Sequence, residues 1–279
     1  MGSSGGDAGT RTIPRRNRPR LVISGFLRED SRPMPFPTFP VELAWKRHVT
    51  PHVWHLGFRR ADGEALSFVA GQFVNVHFET PEGGTHRSYS VANPPEAGNE
   101  FEVAVSPVPG GLATQAFEAL EPGETVAVSG PYGRFVLRDD PPCRYLMVGT
   151  GTGITPYRAM LPELVRRLED GFRAHVVLGV WRREELLFGK DFLALAKARD
   201  DFRFTGCYSR EMPDDVADWE RPGYVQTLYS QLELDPASDV VYLCGNPGMI
   251  DESMEILKSL GFESRQLRRE KYLSARPAR

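Results

Sequence analysis

The stretch Met147-Val148-Gly149-Thr150-Gly151-Thr152-Gly153-Ile154-Thr155-Pro156 restricts this chain more than any other: an apolar run opens into a glycine-rich turn and then a helix start. Glycines let backbone N–H groups come close to a phosphate, and the helix that follows turns its positive end toward it. Pro156 suits a first helical turn, where its missing N–H leaves no bond unmade. Ile154 takes the place of the third glycine of GxGxxG, and no Lys-Ser/Thr follows as in a P-loop. Alone, the segment reads either as a dinucleotide loop or as a tight structural turn.

It has company. Val241-Tyr242-Leu243-Cys244-Gly245-Asn246-Pro247-Gly248-Met249 repeats the plan of strand, small turn and helix. A second loop is therefore expected at the same sheet edge, outside the carboxyl ends of the strands, where open parallel sheets hold ligands. Cys244 ends its apolar run, and a thiol there either points into the site or fills core. Tyr208-Ser209-Arg210-Glu211 follows the strand-like run 202–207 and sets Arg210 where the adenosine end of a dinucleotide lies. Its planar fork suits a 2′-phosphate; without the neighbouring motifs it reads as a solvated loop residue.

These segments sit in the second half of a chain of 279 residues, 41% hydrophobic and 25% charged, enough for two cores. After Asp139-Asp140-Pro141-Pro142, apolar runs at 145–148, 175–180 and 240–243 alternate with helical patterns near 156–168, 190–197 and 247–260. That alternation predicts a parallel sheet wrapped by helices over 140–279. From 41 to 139, short β-rich runs at 53–58, 73–78, 88–91, 101–105 and 125–128, divided by Gly, Pro and Asn turns, predict a small antiparallel β-barrel. Residues 1–40 are expected to be tail and linker. Five arginines in 1–20 read as a disordered tail or cloning remnant, or as a basic arm for an acidic partner, and four prolines in 32–40 force extended chain.

In the barrel half, His86-Arg87-Ser88-Tyr89-Ser90-Val91 joins a cation for a pyrophosphate, a flat ring for a ring system and hydroxyls for a reacting atom. The plain alternative is a half-exposed strand with one polar face. Strand alternation sets Arg87 and Tyr89 on one side and Ser88 and Ser90 on the other, unless a bulge intervenes. Gly110-Gly111-Leu112-Ala113-Thr114, ahead of an expected helix at 115–120, makes another anion-holding turn.

A formal net charge of -3 gives no field for nucleic acid or an anionic membrane. No apolar run approaches a bilayer span and no secretory layout opens the chain, so a soluble, cytoplasmic protein is expected. Cys143, Cys207 and Cys244 are too scattered for a disulfide framework or a CxxC metal site. His52 and His55 read as surface or packing residues, and no metal site is expected.

With these residues in view, 41–279 resembles the ferredoxin–NADP reductase superfamily. The matches are Gly71-Gln72-Phe73, Arg87-Ser88-Tyr89-Ser90, the GPYGRF segment 130–135, the GTGxTP-like 151–156 and the CGxPxM-like 244–249, all in the family's order. The resemblance implies FAD against the barrel, with Arg87 and Ser88 at its pyrophosphate, Tyr89 stacked on the isoalloxazine, Ser90 near flavin N5, and Gly111, Leu112, Ala113 and Thr114 at its phosphates. It implies a nicotinamide nucleotide on Gly151, Thr152, Gly153 and Thr155, with Cys244 bordering the nicotinamide. The reaction implied is hydride transfer between NADPH and FAD, with single electrons then exchanged with ferredoxin or flavodoxin.

Departures from the family's pattern leave two points open. Ser209-Arg210 favours NADP(H), whereas Gly223-Tyr224-Val225 looks like the pattern of NADH-using oxygenase reductases and favours NAD(H). Arg269-Glu270-Lys271-Tyr272 resembles the Glu-Lys-aromatic ending of the same group, but the chain runs on to Arg279. It implies Tyr272 beside the flavin and Glu270 near the reacting centre. The iron–sulfur cysteines of oxygenase reductases are missing, so an external carrier is implied. Alternatives are an NADH-dependent reductase component feeding an oxygenase or cytochrome, and a non-catalytic nucleotide-binding regulatory subunit.

Overall fold

The computed structural model describes residues 37–80 and 83–273; the arginine-rich segment, the start of the proline run and residues 274–279 lie outside the described residues. Six antiparallel strands come first: β1 (Phe39–Thr50), β2 (Val53–Arg60), β3 (Phe73–Thr80), β4 (Gly83–Ser90), β5 (Glu100–Val105) and β6 (Thr125–Tyr132), with α1 (Leu112–Ala119) before the last. Their order is β4-β3-β6-β1-β2-β5. The end strands meet where Val91 bridges Val103 and the Ala92 N–H donates to the Glu102 carbonyl at 2.7 Å. The sheet thereby curls into a barrel.

Period-two alternation fills its interior with Leu43, Leu56, Phe58, Val74, Val76, Phe78, Phe101 and Val103, and Phe117 of α1 plugs one end. β1 is not among the expected strands. Val41 and Leu43 are buried, but Glu42, Lys46, Arg47 and His48 on its wetter positions dilute the apolar pattern. α1 begins at Leu112, earlier than the expected 115, so the Gly110-Gly111 turn abuts its first turn directly.

The second sheet is parallel: β7 (Arg144–Thr150), β8 (Arg173–Val180), β9 (Phe202–Tyr208), β10 (Glu220–Pro222), β11 (Asp239–Gly245) and β12 (Leu267–Lys271) lie in the order β10-β9-β8-β7-β11-β12. Around it are α2 (Thr155–Ala159), α3 (Leu161–Glu169), α4 (Gly189–Ala198) and α5 (Pro247–Ser259). The expected helix over 156–168 is therefore two. Pro162 has no N–H for the Arg158 carbonyl, and the chain breaks at Met160. From β7 the chain runs outward to β10 and then returns to the other side of β7 as β11. Strand order reverses between β7 and β11, which opens a crevice at their carboxyl ends.

One apolar cluster crosses between the sheets: Val53, Ala92 and Ala104 of the barrel join Phe135, Tyr157 and Phe188. It seats the barrel against the carboxyl-end crevice.

Candidate active site

Both crevice loops depend on glycine. A Cβ on Gly153 would stand 2.3 Å from the Cys244 carbonyl, and Gly245, at φ +121°, leaves room for Thr150, whose Oγ1 accepts from the Asn246 N–H at 2.9 Å. The loops after β7 and β11 thus interlock at the switch point. The Asn246 side chain caps α5 by accepting from the Gly248 and Met249 N–H groups.

The barrel faces this crevice across a cavity of about 680 Å³. Arg87, Ser88, Tyr89 and Ser90 line it from β4, Gly111 to Thr114 from the α1 turn, Thr152 and Thr155 from the loop after β7, and Glu270 and Tyr272 from β12 and the residue beyond. β4 contributes consecutive residues, and hence both of its faces, to the cavity lining. Gly151, Gly153, Cys244, Ser209 and Arg210 are not among its lining residues. His86, quoted in the sequence string without a role, lines it too, as do Ser106, Val108 and Pro109 of the turn after β5, which the sequence reading did not single out. The signal was there for the turn, which joins a strand to the Gly110-Gly111 pair.

At the centre, the Ser90 and Tyr272 hydroxyls are 2.6 Å apart, and Ser90 Oγ donates to Glu270 Oε1 at 3.3 Å. The chain therefore runs from the Tyr272 hydroxyl through Ser90 to a carboxylate. Burial pushes the Glu270 carboxyl up to about 7, with the Ser90 hydrogen bond pulling the other way. Cys244 pairs in register with Glu270 and is fully buried; burial first, then the nearby Glu270, raise its thiol well above the usual range, which keeps it a neutral S–H.

Three features fit a bound dinucleotide. Thr155 Oγ1 is buried on the cavity wall with no hydrogen-bond partner among the described residues. Arg87 donates to Thr85 Oγ1 and the His86 carbonyl but pairs with no carboxylate among the described residues, leaving its charge available. The first turn of α1 carries no acidic side chain against an incoming phosphate. Tyr89 packs its ring edge-on to Phe117 at 5.4 Å and keeps its other side to the cavity.

Farther out along the sheet's carboxyl edge, Arg210 lays its guanidinium over the half-exposed Trp181 ring at 3.9 Å, and Ser209 Oγ donates to the Val180 carbonyl at 3.3 Å. An aromatic residue directly after the β8 run was the available sign of this platform. His55 is buried against Glu102, and His52 is exposed. No helix among the described residues is long and apolar enough to cross a membrane.

Comparison with known proteins agrees with this two-domain fold. The oxidoreductase FAD-binding domain model matches residues 40–137 and the oxidoreductase NAD-binding domain model matches residues 147–254. Ferredoxin–NADP reductase B of Sorangium cellulosum is 36% identical over 245 residues, covering 84% of this chain and 97% of that protein. The propane 2-monooxygenase reductase component of Mycolicibacterium goodii is 30% identical, and the match spans 69% of this chain but 55% of that protein. An Amycolatopsis cytochrome P450 reductase superposes with a TM-score of 0.75 at 26% identity, covering 85% of this chain and 70% of that one. A Neisseria gonorrhoeae ferredoxin NADP+ reductase, solved with FAD and NADP bound, shares the fold at a TM-score of 0.73 and 24% identity, covering 85% and 99%.

Barrel, crevice and matched domains define an FAD- and NAD(P)-binding oxidoreductase. Within that class, the chain belongs to the ferredoxin–NADP reductase family.

Proposed function

We propose that this enzyme oxidises NADPH and passes the electrons singly to ferredoxin or flavodoxin in the cytoplasm, with an FAD domain over 41–139 and a nucleotide domain over 140–279. The observation that carries the reading is the Tyr272–Ser90–Glu270 chain, which brings both sheets to one cavity. FAD, when bound, supplies the step from two-electron to one-electron chemistry. Arg87 and Ser88 with the α1 turn hold its phosphates, Tyr89 presents a ring face to it, and Ser90 offers a hydroxyl at the reacting end. Thr155 Oγ1, lacking a hydrogen-bond partner among the described residues, would be placed to bond a cofactor polar atom.

Gly151 to Thr155 would hold the nicotinamide nucleotide's pyrophosphate at the switch point, and Cys244, a buried neutral thiol in register with Glu270, would border the nicotinamide end from behind the cavity wall. Tyr272 covers the cavity and keeps water from Ser90. Glu270 accepts from the Ser90 hydroxyl, and with its carboxyl raised toward neutrality it would be a proton store beside that hydroxyl. Ser209 and Arg210 take the 2′-phosphate, with Trp181 holding the guanidinium flat beside it. Support for the carrier is the relative named ferredoxin–NADP reductase B, and three free cysteines accord with a reducing compartment.

The second reading, an NADH-dependent component for an oxygenase or cytochrome, is favoured by Tyr224, 67% exposed after β10, and by the Mycolicibacterium relative. Steady-state kcat/KM with each coenzyme, using ferredoxin, flavodoxin and cytochrome acceptors in turn, separates the two. NADPH with ferredoxin or flavodoxin should give the highest value; a preference for NADH would select the second.

A further inference from the structure

We infer that Arg158, through a closed circuit with Glu102, His55 and Phe188, is a positioning residue that sets the nucleotide loop against the flavin strand. Two members come from the barrel and two from the nucleotide domain. Arg158 Nη1 donates to Glu102 Oε2 at 2.7 Å, and Glu102 Oε2 lies 2.9 Å from His55 Nε2. The His55 ring meets Phe188 edge-on at 5.0 Å, and the Arg158 guanidinium lies 4.4 Å over the same Phe188 ring. The circuit therefore closes on itself across the domain boundary.

Its placement ties it to the cavity walls. Arg158 lies one helical turn beyond Thr155 on α2. The same Nη1 donates to the Ala92 carbonyl at 2.9 Å, and Ala92 follows Ser90 by two residues at the end of β4. One guanidinium thus holds the strand end bearing Ser90 and the helix start bearing Thr155. Phe188 adopts φ 57°, a left-handed conformation that a bulky residue takes up only when its surroundings hold it there, and it is 8% exposed.

The apolar cluster that Val53, Ala92 and Ala104 share with Phe188 and Tyr157 already adheres the two domains. A half-buried ion pair adds little net adhesion to such an interface, whereas its directional bonds specify orientation. Asp191, 45% exposed, accepts from the outer Nε and is not part of the circuit. Hydride transfer is steep in distance and angle, so loss of orientation is expected to slow that step and spare electron release.

The inference rests on the flavin–nicotinamide reading, and the test separates the two. Stopped-flow absorbance on the full-length holoenzyme gives the rate of flavin reduction at saturating coenzyme and, separately, the rate at which photoreduced enzyme is re-oxidised by ferricyanide. Arg158→Met is expected to slow reduction by about tenfold or more while re-oxidation and the resting flavin spectrum hold within about twofold. Arg158→Lys should recover part of the loss, Glu102→Gln should show a smaller loss of the same kind, and Asp191→Asn should match the parent. Unchanged reduction in Arg158→Met, or equal slowing of both half-reactions, overturns the inference. If Arg158→Met does not fold, Arg158→Lys and Glu102→Gln decide by the same two rates. A parent enzyme whose flavin neither coenzyme reduces removes the functional reading itself, before any variant is compared.

Discussion

The Ser90 hydroxyl, at the end of a barrel strand, lies 2.6 Å from the Tyr272 hydroxyl, which follows the last strand of the parallel sheet. This contact spans 182 positions of chain and joins the two sheets at the cavity wall. Ser90, Glu270 and Tyr272 act as one unit because each fixes the orientation of the next.

Glu270 makes that unit pH-dependent. Its carboxyl is raised from 4.5 to about 7, so the folded chain holds this proton more tightly than the unfolded chain does. The stability it contributes is whole below the unfolded value and is lost as pH rises through the folded one, by up to about 3 kcal/mol. In urea melts between about pH 5 and 8, Glu270→Gln is expected to flatten this fall. An identical slope in both proteins would show that Glu270 does not titrate in that window.

Tyr89→Ala removes the ring that faces the cavity beside Phe117. FAD affinity should fall by about tenfold, with a shifted flavin spectrum. Equilibrium dialysis giving full occupancy and an unperturbed spectrum contradicts the stacking role.

Arg210→Ala removes the cation parked over Trp181. A charge-assisted bond to phosphate is worth roughly 1.5–3 kcal/mol, so the KM for NADPH should rise at least about tenfold while that for NADH stays put. Equal effects on both coenzymes would move the arginine away from the 2′-phosphate.

Gly153→Ala drives a methyl group to within 2.3 Å of the Cys244 carbonyl, backbone that cannot swing aside. The interlocked loops must part, at a cost of about 1–3 kcal/mol in stability and with weaker binding of both coenzymes. A thermal melt and KM values matching the parent would contradict the interlock.

The two-sheet plan was legible because short β-rich runs divided by Gly, Pro and Asn turns give way after Pro142 to apolar runs alternating with helical patterns, such as 145–148 in β7, 176–180 in β8 and 240–243 in β11. Loops 110–114 and 151–155 were legible from glycine placement, a local property. β1 and β12 were not, since Glu42, Lys46 and Arg47 in one and Arg268, Arg269 and Glu270 in the other break the apolar pattern while backbone pairing holds the strands. Arg158 was invisible for a different reason. It reads as an ordinary helix-surface residue, and its meaning comes from Glu102 and Ala92, which only the docking of the two domains brings near.

The most direct test of the account is anaerobic: the absorption spectrum of the purified, FAD-incubated protein, followed by rapid mixing with NADPH and, in a fresh sample, with NADH. The account predicts flavin bands that bleach with either coenzyme and markedly faster with NADPH. A protein that takes up no FAD, or a bound flavin that neither coenzyme reduces, would contradict it.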